Sequence, residues 1–368
     1  MGPIRIHVYL RFLTLSIWLS SVCYGQSPPP AFTYTLHAQK EPNPWSLVEI
    51  PLPPSTALAT TPAGALLVLI PQPERKWVLK GLTDWYAQSP KEQSLAIGGS
   101  RVGRDEDVWI SGDLTVTRDG KYAVVRITTR RRSSKPQVLD AEASIAVVDL
   151  NTFSAVTTRT TTDPLIAGAQ WSLTRENLLV SKALTKRVRI KEQSASAVTD
   201  SYQAAILDLP DLKVSDTCSY SKVLEIHDGS GWRAEDEKSA NLKCAGILKV
   251  AKVATANELP GENSVVQFAK EHHSPPSCNI AEVSDDGRFA LYDCSEGHQA
   301  WDTVITTWRS LSVLSTASSA SVLSITLKPK QPTMATLVKA ESHDYLVVVR
   351  DGIRVEAYRI PEAPTTPN

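Results

Sequence analysis

The chain is 368 residues long, with 39 Lys and Arg set against 39 Asp and Glu. That balance gives no reason to expect a nucleic-acid partner, which favours a clearly basic face. The length is large for one domain, yet ordinary for a closed all-β fold.

The N-terminus reads as a segment removed on export. Arg5 and Arg11 form a basic start, and Phe12 to Val22 (FLTLSIWLSSV) is an apolar stretch of 11 residues. Cys23-Tyr24-Gly25 then places small residues where a signal peptidase reads them. Such a stretch is too short to cross a hydrocarbon core of about 30 Å as a helix. Residues 1–25 are therefore expected to be a signal peptide, and the mature chain, starting at Gln26, to be secreted or periplasmic. A lipoprotein with Cys23 lipidated is the competing reading; Val22, where Gly, Ala or Ser is needed, argues against it. No later stretch predicts a transmembrane helix. Residues 26–45 are expected to be a Pro-containing tether, because a run such as Ser27 to Pro30 (SPPP) cannot join a strand ladder. Residues 361–368 (PEAPTTPN) are expected to be a disordered tail.

Between these ends, residues 46–360 carry a slow repeat. Gly64, Gly120, Asn177, Gly231, Gly287 and Asp344 mark places where a strand can turn back, at intervals of 56, 57, 54, 56 and 57 residues. Five of the six are followed by apolar runs with β-branched residues. One hairpin signal per long repeat predicts an all-β, radially repeated fold, a β-propeller of six blades with four antiparallel strands each. Seven blades, with one degenerate near Gly231, is the alternative. The clearest repeat runs from Leu114 through Asp119-Gly120 to Ile127, then from Ser144 to Phe153. Asp119 can accept hydrogen bonds from the turn backbone, and Gly120 can take positive φ without a clash. The last repeat lacks room for a fourth strand, so Ser46 to Leu52 (SLVEIPL) is expected to complete that blade and close the ring.

Four cysteines follow the signal peptide: Cys218, Cys244, Cys278 and Cys294. An even count in an exported chain predicts disulfides. If Asp285, Asp286 and Gly287 form a three-residue loop, Ser284 faces Arg288 and Cys278 faces Cys294. Cys218 with Cys244 follows by elimination; four reduced, buried thiols are the bland alternative.

The segments VTRDGKYAVV with SIAVVDLNT, and EVSDDGRFALYDC, resemble the repeats of bacterial YVTN/WD40-like propeller proteins. In that family a Ser/Thr-x-Asp-Gly turn joins the inner strand to the second, and an Asp-Leu step ends the third. The resemblance covers two repeats well and supports a fold; a function has to be argued from a site.

No catalytic constellation is legible. There is no Gly-x-Ser-x-Gly, His-Glu-x-x-His or Cys-x-x-Cys spacing. The densest polar cluster is Glu271-His272-His273, with Asp293, Glu296 and His298 just after the next hairpin, and His272, His273, His298 and Trp301 are the candidate binding residues. Adjacent His residues on a strand point to opposite faces, and the spacing matches no standard metal site, so no metal and no cofactor is expected. Arg130-Arg131-Arg132 with Lys135 reads as a solvated loop. The many tryptophans, Trp171 first among them, read as blade-to-blade core, although an exposed row of them would stack on sugars. The sequence thus predicts an exported, non-enzymatic binding or protein-interaction scaffold, whose ligand is a protein or a saccharide. A six-bladed metal-dependent hydrolase or lactonase and a carbohydrate-binding module are the alternatives. The hydrolase needs metal ligands recurring in successive repeats, and none recurs.

Overall fold

The computed structural model describes residues 27–37, 57–72, 76–87, 89–98, 108–132, 139–168, 170–173, 177–190, 195–227, 232–234, 278–284, 286–300, 303–318, 320–328, 331 and 333–361. They form antiparallel strands, with one short helix. The first sheet holds β2 (Ala57–Thr60), β3 (Leu66–Gln72), β4 (Lys76–Thr83) and β5 (Lys91–Ile97) in that order. The second holds β6 (Val108–Val116), β7 (Tyr122–Arg132), β8 (Leu139–Asp149) and β9 (Ser154–Thr161). The third has β10 (Gln170–Leu173), β11 (Asn177–Ile190), β12 (Ala195–Asp208), β13 (Lys213–His227) and β14 (Trp232–Ala234). A further sheet runs β15 (Cys278–Val283), β16 (Phe289–Ala300), β17 (Thr303–Ser315) and β18 (Ser321–Leu327). The closing sheet is ordered β19 (Thr333–Ala340), β20 (His343–Arg350), β21 (Arg354–Arg359) and, from the other end of the chain, β1 (Phe32–Thr35).

These sheets stand side by side as propeller blades. The first strands of four of them line up on one side: β2 touches β6 on one flank and β19 on the other, and β19 touches β15. Apolar clusters fill the gaps between neighbours. Leu69, Trp77 and Leu79 meet Val125, Ile127 and Val148 between the first two blades. Val124, Ile145 and Val147 meet Leu178, Val180 and Leu207 between the next two. Leu66, Val68 and Leu82 pack on Val347, Val349 and Val355 of the closing blade, whose other face meets Leu291, Leu311 and Val313. The middle strands are buried on both faces, which is why Leu66 to Ile70 is an unbroken buried apolar run with no alternation. The helix α1 (Pro164–Gly168) links the second and third blades. Asp163 caps it by accepting from the Leu165 N–H, and Pro164 supplies the first helical position, where no N–H is needed.

The two hairpins quoted for the repeat share one turn. At Thr117, the hydroxyl donates to Asp119 Oδ1 and accepts from the Tyr122 N–H, while the Gly120 N–H donates to the Thr117 carbonyl. Ser284, Asp286, Gly287 and Phe289 repeat every one of those bonds. Gly120 and Gly287 sit at φ +70° and +69°, which only glycine adopts without strain. The cation after each glycine lies over the next ring, Lys121 over Tyr122 and Arg288 over Phe289.

Cys278 faces Cys294 and is bonded to it. The route differs from the simple count. Ser284 pairs with Phe289, so the loop has one residue more than expected, and a bulge at Ala281 shifts the register back before the cysteines. Cys218 is also disulfide-bonded; Cys244 lies outside the described residues.

Three expectations need correction. The closing strand is Phe32–Thr35, not Ser46–Leu52, which lies outside the described residues. Those four residues sit within the expected tether, beyond Pro30, where the N–H groups needed for a ladder return. The turn before β20 falls at Glu341-Ser342, with Glu341 at φ 53°, because Ala340 pairs with His343; Asp344 is already within the strand. The hairpin signal around Gly231 joins β13 to β14, with His227 facing Trp232, so it widens the third sheet instead of opening a new one. Five blades are described, and residues 235–277 lie outside the description.

Candidate functional site

Of the sequence-derived binding residues, His272, His273 and Trp301 lie outside the described residues. His298 is placed on β16, opposite Ile305, with its side chain outside the description. Their grouping therefore lies outside the described residues. Among the described residues no group of three or more His, Cys, Asp or Glu is arranged to hold a metal ion. No helix there is long and apolar enough to cross a membrane. Two of the tryptophans, Trp77 and Trp85, are core residues; Trp85 is fully buried and its indole N–H donates to the Gly64 carbonyl. Trp171 lies on the inner strand β10, its side chain outside the description.

The titratable groups are drawn into clasps between strands and blades. Glu92 on β5 accepts from Lys80 Nζ at 2.7 Å, from the Tyr34 hydroxyl at 3.1 Å and from the His37 N–H at 3.1 Å. His37 Nδ1 lies 2.9 Å from the same carboxylate. Burial alone would push this carboxyl up, but the bonds from Lys80 and His37 overcome it and hold it at about 2. Glu92 thus locks the N-terminal segment of the closing blade to the outer strand of the first. Ser27 makes a matching contact at the other end, its hydroxyl accepting from the Thr326 N–H of β18. Residues 27–37 accordingly run over three successive blades.

Glu356 accepts from Arg350 Nε and from the Tyr358 hydroxyl, both at 2.7 Å, and pairs with Arg354. Burial raises its pKa, and these partners bring it below the ordinary value. Asp286 is lowered as well, against the opposing effect of burial, by bonds from Arg288 and Ser284. Arg288 in turn reaches Asp344 on the next blade at 2.7 Å. Glu282 accepts from the Thr336 hydroxyl and the Leu337 N–H, tying β15 to β19. The bonds that cross blades, from Glu92 to Tyr34 and His37, from Arg288 to Asp344 and from Glu282 to β19, do not announce themselves in the sequence, because each pairs residues from separate repeats.

A cavity of about 320 Å³ opens where the inner strands β15, β19 and β2 converge. Leu58, Leu291, Leu311 and Met334 make apolar walls, and Ala281, the bulged residue, contributes another. Asp293 and Arg309 supply charge: Arg309 Nε donates to Oδ1 at 3.1 Å and Nη2 to Oδ2 at 2.6 Å. That bonding pushes the guanidinium pKa further up. A bulge at a cavity wall is a recurrent way of re-aiming a side chain at a site.

No family model matches the sequence, and no curated protein matches it. Among solved structures, the chain is similar to the β-propeller domain of the trilobed protease from Pyrococcus furiosus, at 9 % identity and a TM-score of 0.22 over 80 % of this chain and 69 % of that one. It is similar to the Dos1 propeller at 10 % identity and 0.23, over 84 % and 60 % of the two chains. It is also similar to a Mycobacterium tuberculosis puromycin-hydrolyzing peptidase at 10 % identity and 0.27, over 93 % of this chain and 58 % of that one. The chain spans about three-fifths of the length of the latter two. The propeller assignment rests on the sheet topology, since similarity at this level carries no further argument.

Proposed function

We propose that this protein is an exported, non-enzymatic binding or interaction scaffold of the YVTN/WD40-like propeller type. One observation carries the reading. The carboxyl groups of Glu92, Asp286 and Glu356 are each displaced downward by bonds that serve the fold, from Lys80 and His37, from Arg288 and Ser284 within one turn, and from Tyr358 and Arg350 in the closing blade. A general acid or base working near neutral pH needs the opposite, a carboxyl raised by burial without a cation beside it. These acids are structural anions, and the ring they brace presents a broad face around its inner strands, where ligands bind in concave sites. The partner on this reading is a protein or small ligand met outside the cytoplasm.

Elemental analysis of the purified protein, with thermal melts before and after chelation, tests it against the metal-dependent hydrolase. The expected result is no stoichiometric divalent metal and an unchanged melting temperature. One calcium or zinc per chain, with a fall of about 10 °C on chelation, would overturn the scaffold reading, since metal binding is linked to stability by mass action.

A further inference from the structure

We infer that the cavity between β15, β19 and β2 is a binding site for a free α-amino acid with an apolar side chain, taken as its zwitterion. The inference rests on the binding-protein reading and specifies one ligand class for it.

Size sets the first limit. A volume of about 320 Å³ equals about ten water molecules, so it admits a small molecule and not a folded partner. The wall chemistry sets the second. Leu58, Leu291, Leu311 and Met334 offer an apolar compartment that rewards a branched or aromatic side chain. Charge sets the third. Arg309 spends Nε and one hydrogen of Nη2 on Asp293, which leaves both Nη1 hydrogens and one on Nη2 to donate. Each Asp293 oxygen keeps a lone pair. The side chains are 24 % and 33 % exposed, so the pair is accessible to a ligand.

A bare carboxylate would gain bonds from Arg309 but be repelled by Asp293 close by, and a bare ammonium would meet the reverse. A zwitterion satisfies both, with its carboxylate on Arg309 Nη1 and its ammonium on Asp293, and leaves the site neutral. That is a double selection by attraction and repulsion. The geometry is held from outside the ligand: Glu282 ties β15 to β19 beside the bulge that brings Ala281 to the cavity.

The test is calorimetric titration of the purified protein with L-leucine, with 4-methylpentanoate and 3-methylbutylamine as analogues lacking one charge each. Saturable leucine binding with Kd below about 1 mM is expected, with each analogue at least about tenfold weaker, which is a modest share of the binding energy of such a small ligand. Ala281→Leu fills the cavity from an exposed position, and it should abolish binding while the melting temperature holds. Asp293→Asn should weaken leucine and spare 4-methylpentanoate. Equal binding of leucine and its analogues, unaltered binding by Ala281→Leu, or no leucine binding up to about 10 mM would each overturn the inference. Any of these with a metal-free, chelation-insensitive protein overturns this site alone; a bound metal overturns the scaffold reading beneath it.

Discussion

Glu92→Gln tests how the ring is closed. The substitution keeps the size of the side chain and removes the charge that Lys80 requires. Lys80 and Glu92 side chains are 6 % and 9 % exposed, so solvent screens their pairing little. The carboxyl is held at about 2 against an ordinary 4.5. At about 1.4 kcal/mol per pH unit, the clasp contributes about 3 kcal/mol. Breaking a buried pair by removing one partner costs about 3–5 kcal/mol, which agrees. With an unfolding entropy of about 2 cal/mol/K per residue, a chain of this size should lose about 4 °C in melting temperature at pH 7. The pH dependence has a definite sign. The folded-state pKa is depressed, so the stabilisation is complete above about pH 5 and is lost as pH falls towards 2. The gap between wild type and Glu92→Gln should therefore close across that window, as followed by denaturant titration at several pH values. A gap that persists unchanged at pH 2.5, or no gap at pH 7, would refute the assignment of the clasp to the Glu92 charge.

The remaining predictions concern packing and cross-linking. Replacing Cys278 and Cys294 by Ser opens a loop closed over a separation of 16 residues, which should cost about 3 kcal/mol in denaturant melts; no loss would mean the hairpin alone sets the register. A Cβ on Gly81 would lie 2.6 Å from Phe153 Cε2, on the neighbouring blade. Gly81→Ala should cost about 1–3 kcal/mol by overpacking, and adding Phe153→Leu should recover part of that. Additive losses in the double variant would contradict the contact.

Much of the propeller was legible because its local chemistry repeats. Thr117-x-Asp-Gly and Ser284-x-Asp-Gly set the same hydrogen bonds, and a turn made within six residues can be read from those residues. The Asp149-Leu step is equally local: Asp149 Oδ1 accepts from the Asn151 N–H and ends β8. The closing strand was misplaced for a physical reason. Phe32–Thr35 and Ser46–Leu52 both suit a ladder, and the choice is made by contacts some 320 residues away in sequence, such as Phe32 with Ala357. Asp344 misled because the left-handed position fell to Glu341, a residue with no special preference for it. The Cys278–Cys294 pairing came out right although the loop was read one residue short, since the Ala281 bulge cancels the difference. Of the cavity only Asp293 stood out in the sequence, as part of the polar cluster with Glu296 and His298. Asp293, Arg309, Met334 and Leu58 come from three blades, and no spacing in one repeat can announce a site assembled between repeats.

Hydrogen exchange read by mass spectrometry over residues 31–36 and 353–360 is the most direct test of a ring closed by its own N-terminal strand. The account predicts that Phe32–Thr35 amides are protected together with β21, their ladder partner, and that Glu92→Gln speeds exchange in both. Fast exchange of residues 32–35 beside a protected β21 would show that another segment, or none, completes the closing blade.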